Sequence, residues 1–351
     1  MITNNKKKDK SIILVTKEYP PQLGGAGIIA SNIVASLKQS NIEVILITSS
    51  SKLWFLSMYM KLMYFKFKKN KTIIINDVGA MYIAGITLSK KEISKSILWL
   101  HGSEKDKAFK AKSKIKKTLL FNKINLKIFR NVKFRVYVSD FLKNKFSDIN
   151  YSNGNSIIIP NSISNIFLNI NDNNKIKNTD GKIRILTVSR IVKEKGYLRF
   201  LEAFKNLPDN YIWTIVGDGP DLGFLKEKIE NNNVTNRIFF LGKKTQEQLI
   251  SLYNTHDIFV LLSNFEESFG LVYIEALYCG LPVLATNKGA LTNTLQDLHG
   301  VSFIDSSDDE SIINEKLINL LEIYQYPNMN KKIISQKFSD NTFLSNLRKI
   351  I

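Results

Sequence analysis

The sequence predicts an α/β protein of two doubly wound domains. Short apolar runs suited to strands buried on both faces alternate with helix-periodic stretches along the chain. Its 351 residues are enough for two separate cores. A polar, apolar-poor stretch at 169–182, NINDNNKIKNTDGK, divides one run of alternation from the next and reads as a linker.

In the first half, SIILVT (11–16) reads as a buried strand, followed by the loop KEYPPQLGGAG, a helix from about Ile28 to Lys38 and the strand IEVILIT. Gly24 and Gly25 suit a close approach of backbone to ligand, or merely a turn with positive φ. They are not the dinucleotide fingerprint, which needs G-x-G-x-x-G directly after the strand. Residues 51–70 interleave Trp54, Phe55, Met58, Tyr59, Met63, Tyr64, Phe65 and Phe67 with Lys61, Lys66, Lys68 and Lys69. That mixture fits an interfacial helix on anionic lipid, and equally a core-packing helix with lysines at its end. KTIIIN (71–76) and ILWLHG (97–102) are short buried strands. His101 ends the second of them, where open α/β sheets bind ligands, although a lone histidine is more often structural. Nine lysines between Lys105 and Lys127, with apolar residues among them, form a second basic amphipathic candidate.

The second half repeats the alternation, with strands at RILTVS, YIWTIV, RIFFLG, DIFVLL, PVLAT and VSFI. Arg190 and Lys195 follow the first of these. Two cations so placed can clamp a diphosphate, the arginine bidentate and the lysine as a point charge, or simply lie on the surface. The stretch 263–286, SNFEESFGLVYIEALYCGLPVLAT, places Glu267 in a loop at a strand's carboxyl end and Glu275 about two turns into the next helix. Between them the backbone N–H groups of Ser268, Phe269, Gly270 and Leu271 are unpaired donors at a helix N-terminus, a seat for phosphate. Two carboxylates beside an anion site suggest a phosphate-bearing ligand with hydroxyl groups. On spacing alone, two solvated surface acids are the commoner case.

Composition narrows the class. Hydrophobic content of 44% is that of a globular protein. The single cysteine, Cys279, excludes a disulfide framework and fits a reducing cytoplasm. The basic N-terminus lacks a signal-peptide core, and the apolar cluster at 53–65 is interrupted by Lys61 and too short to span a bilayer. Residues 1–160 carry 29 Lys and Arg against 9 Asp and Glu, a net of +20, whereas residues 161–351 carry 21 against 22, a net of −1. A genome-wide lysine bias acts on both halves alike, so the asymmetry implies an anionic partner for the first half: membrane surface, nucleic acid or anionic glycan.

The run E-S-F-G-L-V-x-I-E-A-L-x-x-G-x-P-V-x-A-T, with Glu267 and Glu275 in a Glu-x7-Glu spacing, resembles the signature of retaining nucleotide-sugar glycosyltransferases of the GT-B fold, family 4. The P-P-x-x-G-G-x-G loop, H-G-S-E at His101, R-x4-K-G at Arg190 and Lys195, and IVGDGP around Gly217 are similar to further loops of that family. Residues 134–146 and 156–163 resemble the end of its N-terminal domain, with Pro160-Asn161-Ser162 where P-N-G is usual, and Asn293 stands where an acid is common.

The resemblance implies two Rossmann-like domains facing across a cleft: 1–168 for the acceptor, 183–338 for the donor, and a last helix at 339–351 returning to the first domain. It implies transfer of a hexose, with retention, from a UDP- or GDP-sugar to a glycan or lipid-linked acceptor. Arg190, Lys195 and the helix N-terminus at 268–271 would stabilise the leaving diphosphate, so no metal or other cofactor is expected. Glu275 would hold the ribose, Glu267 and His101 the transferred sugar, and Gly217, Gly24 and Gly25 would flank the donor. The expected setting is the cytoplasmic face of a membrane, in surface polysaccharide or lipopolysaccharide assembly. A non-catalytic partner subunit is the alternative. A nucleic-acid binder is the least favoured reading, because the basic half lacks a recognised module with base-stacking aromatics.

Overall fold

The computed structural model describes residues 11–20, 25–68, 71–102, 104–110, 113–151, 154–170, 179–324 and 329–351. Gly24, the basic segment 1–10 and most of the expected linker lie outside the described residues. The chain divides into two compact units, one running to Asn161 and joined by Asp340–Ile351, the other Ser162–Ser339. Residues 162–168, expected with the first domain, cluster with the second. The Phe167 ring lies 6.0 Å from that of Tyr253, Ile163 N donates to Phe338 O, and Tyr278 Oη donates to Leu168 O.

Unit 1 holds a parallel sheet of six strands: β1 Ser11–Val15, β2 Glu43–Ile47, β3 Lys71–Ile75, β4 Ile97–Leu100, β5 Phe134–Tyr137 and β6 Asn155–Ile158. Their order is β2-β1-β3-β4-β5-β6. The chain steps outward from β1 to β2 and returns on the other side, so the sheet's switch point falls between β1 and β3. Three helices pack nearby: α1 Gly25–Gln39, α2 Trp54–Phe65 and α3 Val78–Thr87. The expected start of α1 at Ile28 is three residues late, because the glycine-rich stretch continues into the helix. The terminal helix Asp340–Arg348 belongs to this unit, its Phe343 ring 5.5 Å from buried Trp99.

Unit 2 holds β7 Ile183–Val188, β8 Tyr211–Val216, β9 Ile238–Gly242, β10 Ile258–Leu261, β11 Val283–Thr286 and β12 Val301–Ile304, again all parallel. The order β12-β11-β10-β7-β8-β9 is the doubly wound Rossmann order, with its switch point between β7 and β10. Trp213 on β8 anchors the core on one face. Its ring lies 4.8 Å from Phe200 and 5.6 Å from Phe204, and its Nε1 donates to Thr187 Oγ1 at 2.9 Å, so its polar atom is satisfied. Each of these rings adds about 1.5–3 kcal/mol by burial.

Candidate active site

In unit 2 the candidate residues gather at the carboxyl ends of β7 and β10. β7 ends at Val188, and the chain turns through Arg190 into a single 3₁₀ turn, Lys193–Lys195. That turn is fastened to the loop after β10: Asn264 N, Phe265 N and Ser263 Oγ all donate to the Glu194 carbonyl, Asn264 N at 2.7 Å. Gly196 closes the turn at φ 72°, and a Cβ there would stand 1.7 Å from Leu262 O. Gly196→Ala is therefore expected to destabilise the protein by at least ~1–2 kcal/mol from the left-handed backbone alone, with the clash in addition. A lower urea midpoint at unchanged slope checks this.

The fastening brings Lys195 Nζ to 2.5 Å from Glu267 Oε1, both side chains mostly buried. Thus two of the candidate ligand-binding groups, 72 residues apart, meet each other. Arg190 is exposed, and its guanidinium has no partner among the described residues. Gly217 follows β8, where the ladder to β9 slips at Ile215/Val216, and its N–H donates to Gly242 O. A Cβ on Gly217 would lie 1.8 Å from Ser189 O, so the glycine lets this loop press on the β7 turn that carries Arg190.

The helix Leu271–Tyr278 begins next to Glu267. Its N-cap, Gly270, sits at φ 90° and provides no side-chain cap. The helix dipole and the first-turn N–H groups remain an anion-favouring end. Phe269 contributes backbone only, because its ring is buried edge-on against Phe338 at 5.5 Å. Glu275 lies one turn into this helix rather than two. It is buried, and burial pushes its carboxyl up to about 7, opposed by a hydrogen bond from Tyr253 Oη to Oε2 at 3.3 Å. Tyr253, itself buried, was not singled out in the sequence, where nothing marks the aromatic of one helix as partner to an acid in the next.

In unit 1, His101 follows β4 and is half-buried. The Glu104 carboxylate closes the turn behind it, accepting from His101 N at 3.0 Å and Gly102 N at 2.5 Å. Asn76, directly after β3, carries the side-chain contact: its Oδ1 lies 3.0 Å from His101 Nε2, while its Nδ2 donates to Ala26 O at 3.0 Å and Thr16 Oγ1 at 3.2 Å. Asn76 thereby ties His101 to the first turn of α1, beside Gly25, and to the end of β1. Asp77 caps α3 by accepting from Ala80 N and also accepts from Thr16 Oγ1 and Lys17 N. Asn76 and Asp77 were missed in the sequence, although a polar pair at the carboxyl end of a buried strand was the available signal.

Two six-stranded parallel sheets with flanking helices, each with its polar residues at a switch point, make two Rossmann-like units, the architecture of the GT-B fold. The solved structure of sucrose-phosphate synthase from Thermosynechococcus elongatus matches it at a TM-score of 0.80 and 16% identity, over 97% of this chain and 98% of that one. Anabaena HepE, solved in complex with UDP and glucose, matches at 0.74 and 19%, over 97% and 98%. Residues 169–338 match the family model for glycosyl transferases group 1. The chain is also 32% identical over 162 residues to alpha-monoglucosyldiacylglycerol synthase of Streptococcus pneumoniae, covering 45% of this chain and 35% of that protein. The match thus spans about a third of that relative's length.

Proposed function

We propose that the protein is a retaining, metal-independent glycosyltransferase that moves a hexose from a nucleoside-diphosphate sugar to a hydroxyl of a lipid-linked glycan. The observation that carries this is the Lys195–Glu267 pair at the β7/β10 switch point, with Arg190 in the turn after β7, without a partner among the described residues, and a helix N-terminus without a side-chain cap. Lys195, Arg190 and the backbone N–H groups at 268–271, leading into the helix, supply positive potential where a departing diphosphate gains charge. Glu275 accepts the ribose hydroxyls, Glu267 contacts the transferred sugar once Lys195 turns to phosphate, and in unit 1 His101 accepts from a sugar hydroxyl. Among the described residues no carboxylate is marked out as a covalent nucleophile, and the proposed route is departure and attack on one face. The test is calorimetric titration with UDP and GDP, followed by hydrolysis of a panel of nucleotide sugars in EDTA. Binding with slow hydrolysis is expected. Absence of both favours a non-catalytic partner subunit, and abolition of activity by the chelator removes the metal-independent reading.

The acceptor side of the proposal rests on unit 1. In α2, Met58 and Leu62 are fully buried, so one face packs as core. Leu53, Leu56, Met60, Tyr64 and Phe67, spaced three or four apart, are 54–77% exposed and form an apolar stripe on the other side. A chain of rings, Phe55–Tyr82 at 5.8 Å and Tyr82–Phe121 at 4.9 Å, joins this region to exposed Leu119 and Leu120, next to Lys114, Lys116 and Lys117. No helix among the described residues is long and apolar enough to cross a membrane. Apolar side chains ringed by lysines, in a half that carries +20, suit peripheral docking on an anionic cytoplasmic leaflet, each lysine near the surface adding roughly 1 kcal/mol. The bacterial relative's name, a synthase of a glucosylated diacylglycerol, supports a lipid-borne acceptor in cell-surface glycan or lipopolysaccharide assembly. Co-sedimentation with anionic vesicles at low salt is expected to fall when Leu56 and Met60 are both replaced by Asp. Equal recovery in the supernatant with anionic and neutral vesicles, at low and high salt, contradicts the docking.

A further inference from the structure

The contacts around His101 fix more than its position. Both amide hydrogens of Asn76 are used, one on the Ala26 carbonyl and one on Thr16 Oγ1, and Thr16 Oγ1 donates onward to Asp77 Oδ2 at 2.8 Å. The Asn76 amide is therefore oriented with Oδ1 toward the imidazole, and an oxygen acceptor 3.0 Å from Nε2 requires the proton to be on Nε2. At the other ring nitrogen, Nδ1 is shielded from solvent and has no hydrogen-bond partner among the described residues. An acceptor held out of water without a donor is costly in a folded protein unless a ligand supplies one.

We propose that Asn76 is a positioning residue that locks His101 as the neutral Nε2–H tautomer, so that Nδ1 serves only as acceptor for a ligand hydroxyl. This rests on the transferase reading for the identity of that ligand, a sugar, but not for the tautomer itself. Among the charged groups around the ring, Asp77 at the start of α3 acts on the imidazole directly, Glu104 in the helix after β4 accepts from His101 N, and Glu18, Lys17 and Lys107 act on these carboxylates rather than on the ring. Burial holds the imidazole down at about 4, against the opposing pull of Asp77, so His101 stays neutral from mildly acid to alkaline pH. Burial also raises the Glu104 carboxyl, opposed by the N–H groups of Gly102 and His101.

A carboxylate in place of the amide oxygen favours imidazolium, so Asn76→Asp raises the His101 pKa by about 1–3 units. In the imidazolium both nitrogens are donors, and the acceptor at Nδ1 is lost as pH falls. Asn76→Ala instead removes the oxygen that selects the tautomer.

The first measurement is ¹⁵N NMR of histidine-labelled wild-type protein across pH, which needs no variant to fold. A His101 signal with protonated Nε2 and unprotonated Nδ1 at neutral pH is expected, and a protonated Nδ1 overturns the proposal. The second is the pH profile of donor hydrolysis for wild type and Asn76→Asp. Wild type is expected to show no acid limb from His101, whereas Asn76→Asp loses activity toward low pH in step with its NMR titration. Coincident profiles overturn the lock. If the NMR result is as expected but no nucleotide sugar is turned over, the lock stands and the transferase reading falls.

Discussion

Lys195→Ala is expected to lower kcat/KM for donor turnover by about 10²–10³-fold, the scale on which one preorganised positive group at a developing anion acts. The loss should fall mainly on kcat, because the departing diphosphate gains charge in the transition state. The same substitution strips Glu267 of the cation 2.5 Å away and leaves a mostly buried carboxylate unpaired. A modest loss of stability therefore accompanies the loss of activity. Adding Glu267→Gln to Lys195→Ala is expected to restore the melting temperature but not the activity, which separates the two effects. Arg190→Ala is the cleaner probe, because Arg190 is exposed and supports nothing else. It should leave the melting temperature unchanged and cost about 10-fold or more, the worth of one charge-assisted hydrogen bond. Wild-type turnover in either single variant removes that residue from the site.

The second large effect concerns Glu275. Glu275→Gln is expected to weaken nucleoside-diphosphate binding by about 10- to 100-fold, since an ionised carboxylate accepting ribose hydroxyls is replaced by a neutral amide. Burial gives two pH signatures of opposite direction. The carboxyl titrates at about 7 in the folded protein and near 4.5 when exposed, so the native state holds the extra proton between those values. Its contribution to stability is then present below pH 4.5 and is lost as pH rises to about 7. Nucleotide binding runs the other way, strengthening as pH rises through about 7 and the carboxylate ionises. Glu275→Gln should abolish both dependences. Calorimetry at pH 6 and pH 8 reads the binding limb, and urea midpoints over the same range read the other. Tyr253→Phe should raise the midpoint of the binding limb, because the tyrosine hydroxyl donates to the ionised form.

The strands were legible because parallel strands buried on both faces are nearly uninterrupted apolar runs, and β1, β3, β7, β10 and β11 fall where those runs lie. Glu267, Glu275, Arg190 and Lys195 were legible as residue types at set places on a strand–loop–helix unit. Their mutual geometry was not. That Lys195 meets Glu267 depends on β7 and β10 being neighbours, a fact of sheet order that no local pattern carries. Asn76 escaped notice for the same reason, since β3 must lie between β1 and β4 before its amide can reach Thr16 and His101. The aromatic–lysine stretch at 51–70 fitted two readings equally, and α2 combines them: Met58 and Leu62 face the core while Leu56 and Met60 face outward. A helix has two sides, and composition averages over them.

The proposed reaction cleaves a nucleotide sugar and keeps its anomeric configuration. NMR of the protein with a panel of UDP- and GDP-sugars and a simple glycan or glycolipid acceptor reads both features in one experiment. The expected result is release of free nucleoside diphosphate from one donor, with a product whose anomeric coupling matches that of the donor. A product of inverted configuration contradicts the retaining mechanism, and intact donor throughout the panel contradicts the transferase itself.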